Sequence, residues 1–293
     1  MNKYVLRIPS SQKAEDWFLF VKKSLEYKHK VDHLEVDFND VRFMETDDFV
    51  ILACLIESFC IQKCNVSFIG GTDGFNHHLY NIKFKEYWNE GFDRDEFTIS
   101  KNRTTLCLWK ISKNMIYSYS NYAKEYFERL TTDNKNLVPL SSNIDEVFNN
   151  IFDHANSPVT GYIITQYYPK NNKISFAVCD FGVGIPNAIK TSNIQNTSIT
   201  EDWKAILWSL EYGSSIKSTP KNRGFGLNNL LELTESSNGK LSIVSNNGVV
   251  IKVANKNFSA GPVNYDFKGT LIKAEVDLNT FDEKDESEEI FEF

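Results

Sequence analysis

The sequence predicts an α/β protein: a small α/β layer over residues 1–90, a connector at 91–104, a larger two-layer α/β sandwich with a mixed, mostly antiparallel sheet at 105–281, and an acidic tail at 282–293. Three observations predict it. Strand and helix patterns alternate through the first module, the order that builds a layer of strands crossed by helices. Tyr162–Tyr168 and Lys173–Cys179 are β-rich runs joined by Pro169-Lys170-Asn171-Asn172, whose residues suit a tight turn and so predict a hairpin. Three further β-rich runs, Leu241–Ser245, Val249–Ala254 and Thr270–Val276, follow segments of helical periodicity and complete four or five antiparallel strands behind the helices.

Taken in order, the first module reads as strand Tyr4–Ile8, helix Gln12–Tyr27, strand Leu34–Phe38, helix Asp47–Ile61, strand Asn65–Ile69, a Gly70-Gly71 break and a helix from Gly74 to Trp88. Glu90–Thr104 is polar and charged, as a connector between domains is. Thr105–Ile111 reads as a strand, and Ile116, Tyr119, Ala123, Phe127 and Leu130 share one helix face as core rather than as a base-stacking platform. Thr131–Asn136 is a polar break, and Pro139 suits the first turn of the next helix. Between Ile185 and Asn222 the chain is polar and predicts one helix, with Ser198-Ile199-Thr200-Glu201 as a capping box and Gly213 as the C-cap.

Composition bounds the function. The chain has 293 residues, 41% apolar and 24% charged, as a soluble globule does. Its net charge is -7, but Asp282–Phe293 holds seven acids and one lysine, so the body is near neutral and lacks the basic footprint of a nucleic-acid binder. The tail reads as a solvated end, or alternatively as an acidic interaction segment. Five cysteines, four of them within apolar runs, suit a reducing cytosol, and Cys60 and Cys64 lack a second ligand pair for zinc. No apolar run reaches eighteen residues and no secretory pattern opens the chain, so a cytoplasmic location is expected, with no membrane partner.

Three stretches carry chemistry. Glu146, Asn150 and His154 recur every four residues and form one stripe on a helix, with Val147, Phe148, Ile151 and Phe152 on the other sides. A carboxylate one turn from an amide suits a magnesium-phosphate site, where the amide oxygen joins phosphate oxygens around the metal; alone, the stripe also reads as a solvated helix face. Asp180-Phe181-Gly182-Val183-Gly184 follows an apolar strand, so that the carboxylate emerges at a cavity edge and the glycines let backbone approach a planar base. Arg223-Gly224-Phe225-Gly226-Leu227 opens a helix running from about Leu227 to Leu233, where bare N–H groups and the positive helix end meet phosphate oxygens and Arg223 adds a charged contact. Lys217 and Lys221 lie in the polar stretch before it, as in a loop that folds over phosphates. Asp-Phe-Gly also invites a protein-kinase reading, but the glycine-rich loop, strand lysine and catalytic loop needed upstream are missing from the sequence.

The order of these stretches resembles the histidine-kinase-like ATPase superfamily shared by gyrase, a heat-shock chaperone, mismatch-repair proteins, sensor kinases and anti-sigma kinases, whose fold is of the Bergerat type. The resemblance spans about Leu106 to Leu278. Glu146 through Asn150 to His154-Ala155 matches the N box, most closely in anti-sigma kinase style; Asp180, Gly182 and Gly184 match the first glycine box; Gly224, Gly226 and Leu227 match the second; and Gly269-Thr270 matches the short third element. It implies ATP and Mg2+ as cofactors, with Asn150 holding magnesium, Asp180 reading adenine, Asp153 supporting the base through solvent, Thr270 nearby, Glu146 as general base and Asn187–Asn222 as an ATP lid. No dimerisation helix with a phosphoacceptor histidine is present, so His154 belongs to the helix stripe, packing beside the nucleotide or bonding solvent.

The first module resembles a STAS domain in its strand, its loop Phe43-Met44-Glu45-Thr46-Asp47-Asp48-Phe49 and its apolar helix. Where that family carries its phosphoacceptor serine, Asp47 stands here, which implies a fixed interaction or scaffold module; Thr46 is the other hydroxyl in reach. The residues themselves also read simply: Glu45, Asp47 and Asp48 charge and cap the first turn of the following helix. Three functions are compatible with the whole: a magnesium-dependent ATPase switch, an anti-sigma-type serine/threonine kinase acting on a protein partner, and a non-catalytic nucleotide-gated module. A homodimer is compatible with each.

Overall fold

A computed structural model of the chain describes residues 2–11, 13–89, 91–92, 104–106, 108–111, 116–130, 135–154, 161–192, 199–211 and 226–284, with backbone alone at 116–117, 150–154 and 226. The architecture is α/β. A three-stranded parallel sheet of β1 (Lys3–Arg7), β2 (His33–Asp37) and β3 (Asn65–Ile69) lies in the order β1-β2-β3. A five-stranded sheet follows, of β4 (Trp109–Lys110), β5 (Tyr162–Tyr168), β6 (Lys173–Asp180), β7 (Lys240–Val253) and β8 (Ser259–Asp277), in the order β4-β5-β6-β8-β7. Every pairing in the second sheet is antiparallel among the described residues, where the sequence had suggested a mixed one.

In the first sheet the connections are α1 (Ala14–Leu25) and α2 (Thr46–Cys60). Helix α1 buries Trp17, Phe18 and Val21, and places Glu15 and Asp16 in its first turn and Lys22 and Lys23 in its last, which matches the helix dipole. Leu6, Leu34, Val36 and Phe38 are buried against the helices. The other face is polar, with Lys3 paired to Glu35 at 2.7 Å and His33 Nε2 hydrogen-bonded to Ser67 Oγ at 2.8 Å.

Helix α2 is buried on every side from Asp48 to Phe59, as an all-round apolar helix must be. The reason is that the second sheet covers the side of α2 that faces away from the first. One apolar core runs from Leu34, Val36 and Ile56 through to Tyr162, Ile164, Ala177, Cys179 and Leu271 of the second sheet. Polar contacts stitch the same surface. Lys273 of β8 is paired with Glu45 and, at 2.9 Å, with Asp47; Thr46 Oγ1 meets Ser175 Oγ at 3.0 Å; Glu57 receives Lys110 Nζ at 3.1 Å and the Tyr162 hydroxyl at 3.0 Å. The helix starts in a capping box between Glu45 and Asp48, while Asp47 turns outward to Lys273. Glu45 and Asp48 therefore cap the helix, and Glu45 and Asp47 hold the sheet through Lys273.

On its opposite face the second sheet carries α4 (Ile116–Leu130), α5 (Val138–His154) and α8 (Gly226–Ser236). Tyr119, Phe127, Ile144, Val147, Phe148 and Leu230 pack there with Ile163, Phe176, Val178 and Ile272. Strand alternation sorts the two cores: Phe176, Val178 and Asp180 face α4, α5 and α8, whereas Ala177 and Cys179 face α2.

Several elements differ from expectation. The helix expected over Gly74–Trp88 is α3 (Asp73–Asn81) plus a separate 3-10 turn at Glu86–Trp88, because Lys83 takes a left-handed φ of 61° and the Phe84 N–H closes back on the Leu79 carbonyl. Thr105–Ile111 yields a bridge at Thr105 and the short β4, with Cys107 outside the described residues. Strand β7 is one element with register shifts at Ser245–Asn246 and Asn246–Gly248, not two strands. Strand β8 begins at Ser259, well before Thr270, since its Tyr265 and Phe267 pack on Phe18 of α1.

Candidate functional site

Asp180 is the last residue of β6 and pairs in register with Thr270 of β8. It is 2% exposed, on the side of the sheet that carries α5 and α8. Its Oδ1 accepts the Gly182 N–H at 2.7 Å, and the backbone of Thr270 supplies a second hydrogen bond. Burial pushes the carboxyl up to about 7, against the pull of those two donors. A buried, hydrogen-bonded acid poised near neutrality is a group suited to recognising a ligand donor.

The turn after Asp180 is built from close backbone contacts. Gly184 has φ +79°, and a Cβ there would press on Asn246 Oδ1 and lie 2.7 Å from Ser245 Oγ. Gly269 has φ +107°, and a Cβ there would meet the Asp180 carbonyl. Glycine is required at both positions by conformation and by space. Gly182 precedes Gly184 by two residues and supplies the N–H already described. Gly184 also opens α6 (Gly184–Thr191), whose Ile185 N–H donates to Ser245 Oγ at 2.9 Å.

Helix α6 was not expected; Pro186 in its first turn is the reason it reads as loop, although proline is tolerated there. The next helix, α7 (Asp202–Ser209), begins at N-cap Glu201, so the capping box expected from Ser198 to Glu201 does not start it; Ser198 itself lies outside the described residues. It ends at C-cap Leu210, and Gly213 too lies outside. Lys190 of α6 pairs with Asp202 at 2.9 Å, Asp202 also accepts the Asn247 N–H at 3.1 Å, and Ala205 and Ile206 are buried. The stretch expected as a lid from Asn187 to Asn222 therefore divides: α6 and α7 are docked on β7, and residues 193–198 and 212–222 lie outside the described residues.

Helix α5 turns Ile144, Val147 and Phe148 into the core and leaves Glu146 half-buried. It packs against α8 and against α6, so the helix carrying Glu146 and Asn150 neighbours both the turn after Asp180 and the helix opening at Gly226. The side chains of Asn150, Asp153 and His154 lie outside the described residues, as do Lys217, Arg223, Gly224 and Phe225. Gly226 is the first residue of α8, and Leu227 is buried beneath it. The fold thus gathers Asp180, Gly182, Gly184, Thr270 and the helices bearing Glu146 and Leu227 on one side of one sheet.

Sequence reasoning missed Ser245 and Asn246. Ser245 is wholly buried at the β7 bulge, and Asn246 has φ 51° with a buried Oδ1 that lacks a hydrogen-bond partner. Only the β7–β8 register brings them to Asp180; nothing local in Ser245-Asn246-Asn247-Gly248 marks them beyond a turn. A separate cleft of about 570 Å³ opens beside β3, lined by Cys60, Cys64, Val66, Trp88 and Phe92 among others. None of the sequence-derived site residues lines it.

Among the described residues no cluster of three acids, histidines or cysteines forms a metal site, and no helix is long and apolar enough to cross a membrane. No family model matches the chain, and no curated protein matches its sequence.

Proposed function

We propose that the chain is an ATP-binding signalling switch that works with magnesium and hydrolyses ATP slowly in the cytoplasm, built as a STAS-like module on the back of a Bergerat-type ATPase domain. One observation carries the reading: Asp180, a buried and hydrogen-bonded carboxylate in register with Thr270, flanked by Gly184 and Gly269 where no side chain fits. A planar base needs that combination, an acceptor to read an amino group and bare backbone to lie against. Gly184 and Gly269 support the reading by shaping the turn, because the place of each missing Cβ is taken by protein atoms, Asn246 and Ser245 at Gly184 and the Asp180 carbonyl at Gly269, which holds the chain tight around the acid.

Asn150 would hold the metal and Glu146, one turn earlier on α5, would orient and deprotonate the attacking water. When bound, magnesium neutralises charge on the transferring phosphoryl group. The chain's own contribution is positioning: Asp180 and Thr270 fix the base, and the start of α8 at Gly226 offers N–H groups to phosphate. Asp153, His154, Lys217 and Arg223 complete the proposed shell around base and phosphates.

The first module suits a fixed scaffold. Thr46 is wholly buried and hydrogen-bonded to Ser175, and Asp47 is paired with Lys273, so the loop that resembles a phosphoacceptor site is spent on the second sheet. Calorimetry with magnesium-ATP, alongside assays for free phosphate and for labelled phosphate on added proteins, tests the reading. Tight ATP binding with phosphate released to water is expected. Label transferred to a protein would make the chain a kinase instead, and ATP held without turnover would make it a nucleotide-gated module. Failure to bind ATP would overturn all three.

A further inference from the structure

We infer that the cleft beside β3 is a second binding site, for a flat, uncharged heteroaromatic molecule that carries a hydrogen-bond donor next to an acceptor. It is separate from the site proposed for nucleotide, none of whose residues lines it. Strand β3 is an edge strand, paired with β2 alone among the described residues. The Asn65 N–H donates to the Asp32 carbonyl at 3.0 Å, and the Ile69 carbonyl accepts the Phe38 N–H at 2.9 Å, both on the β2 side. In a parallel ladder a residue turns its N–H and its C=O to one side, and its neighbours turn theirs to the other. Asn65, Ser67 and Ile69 are therefore spent on β2, and Val66 directs both its N–H and its C=O to the open edge. Val66 is also part of the cleft wall.

The cleft, of about 570 Å³, has the size of a small-molecule site. Its other wall is formed by Trp88, Asn89 and Phe92, so the strand edge is enclosed there. Both aromatic rings are braced from behind: Trp88 packs on Phe84 and Tyr162 with ring centroids 6.2 and 5.9 Å apart, and Phe92 packs on Tyr87 at 5.3 Å. Side chains held in this way keep the cleft preformed. Asn65 and Asn89 add exposed carboxamides at the rim, and Cys60 adds a half-buried thiol. No carboxylate, amine, guanidinium or imidazole is among the described residues that line it, so an ion would enter without a counter-charge. A flat ring gains contact with the aromatic faces, and a donor beside an acceptor on its edge meets the Val66 C=O and N–H in two parallel hydrogen bonds. A ring lacking either group leaves one of them unmet.

The test uses the full chain and three neutral probes of one shape: 7-azaindole, with an N–H beside a ring acceptor; indole, which lacks the acceptor; and 1-methyl-7-azaindole, which lacks the donor. The readout is local to the cleft: the rate at which N-ethylmaleimide alkylates Cys60, followed by peptide mass. 7-Azaindole is expected to slow that alkylation saturably, with roughly tenfold higher affinity than either analogue, the worth of one hydrogen bond to a group otherwise unmet. Excess magnesium-ATP should leave the protection unchanged; protection lost on adding ATP places the probe in the nucleotide site and overturns the inference. Val66→Pro removes the N–H at an edge position where proline takes no ladder bond, so the preference for 7-azaindole over indole should vanish while indole still protects. A preference retained in the folded variant overturns the inference. Equal affinities for the three probes in the wild type, or protection by none of them, overturn it as well, whether or not Val66→Pro folds.

Discussion

The Cys54 thiol of α2 donates to the carbonyl of Cys179 at 3.2 Å, one residue before Asp180. The first module thus touches the strand that carries the buried acid, at the point where that strand leaves the sheet. Together with Lys273–Asp47 and Tyr162–Glu57, this contact makes α2 a structural part of the sheet's second face. Any shift in the register of β6 or β8 must be accommodated by α2.

Asp180→Asn should lower ATP affinity by roughly 10- to 100-fold at pH 8, the cost of losing a charged hydrogen-bond acceptor. The folded chain should not be weakened, because the variant also removes a buried acid whose ionisation burial opposes. Calorimetry and a thermal melt on the same preparation check both halves. Unchanged affinity would remove Asp180 from the binding site.

Glu146→Gln should leave ATP binding near wild type and reduce phosphate release by at least roughly 100-fold, the usual contribution of a positioned general base. A coupled phosphate assay on the purified variant reads this. Equal turnover by variant and wild type would exclude Glu146 as the base.

Asp180 and Asp48 both stand near 7 in the folded chain, each chiefly through burial, against an ordinary value of 3.8; the neighbouring Asp47 adds to the shift of Asp48. Their folded pKa is raised, so between about pH 4 and 7 the native state holds more protons than the unfolded one. Stability from these groups is therefore present at low pH and is lost as pH rises through that window, levelling off above 7. In Asp180→Asn the decline should be shallower by up to about 1.4 kcal/mol per pH unit. Urea midpoints from pH 5 to 8 for the two proteins provide the comparison, and parallel profiles would contradict the assignment.

Gly184→Ala should destabilise by about 1–3 kcal/mol, through a left-handed φ imposed on alanine and a methyl group set against Asn246 and Ser245. Gly74→Ala, in α3 where a Cβ meets open space, is the control and should be neutral or stabilising. Denaturant midpoints separate the two. Equal effects would mean that the turn at Gly184 is not confined.

Lys273→Ala should cost roughly 1–2 kcal/mol, since it leaves Asp47 partly buried without its cation while Glu45, 42% exposed, turns to solvent. Burial alone would lower the Lys273 pKa, and the two acids raise it above its ordinary value, which is the mark of a pair that depends on both partners. Chemical denaturation with an unchanged m-value is the expected signature.

The sequence by itself determined the α/β alternation, the β5–β6 hairpin, the stripe on α5 and the acid-glycine turn at Asp180, because each is written in neighbouring residues whose period or turn chemistry acts locally. It also placed Glu45, Asp47 and Asp48 as acids that charge and cap the first turn of α2, and the structure forms the box from Glu45 and Asp48. It did not reveal α6, whose first-turn proline looks like a break, nor the early start of β8, whose Tyr265 and Phe267 find their partner in Phe18 some 250 positions away. Only the tertiary structure decided that α2 is buried between two sheets and that Ser245 meets Gly269, Thr270 and Ile185. Those contacts depend on strand register and on which face a pleat presents, and a register is fixed by the packing of the whole sheet rather than by any one segment of chain.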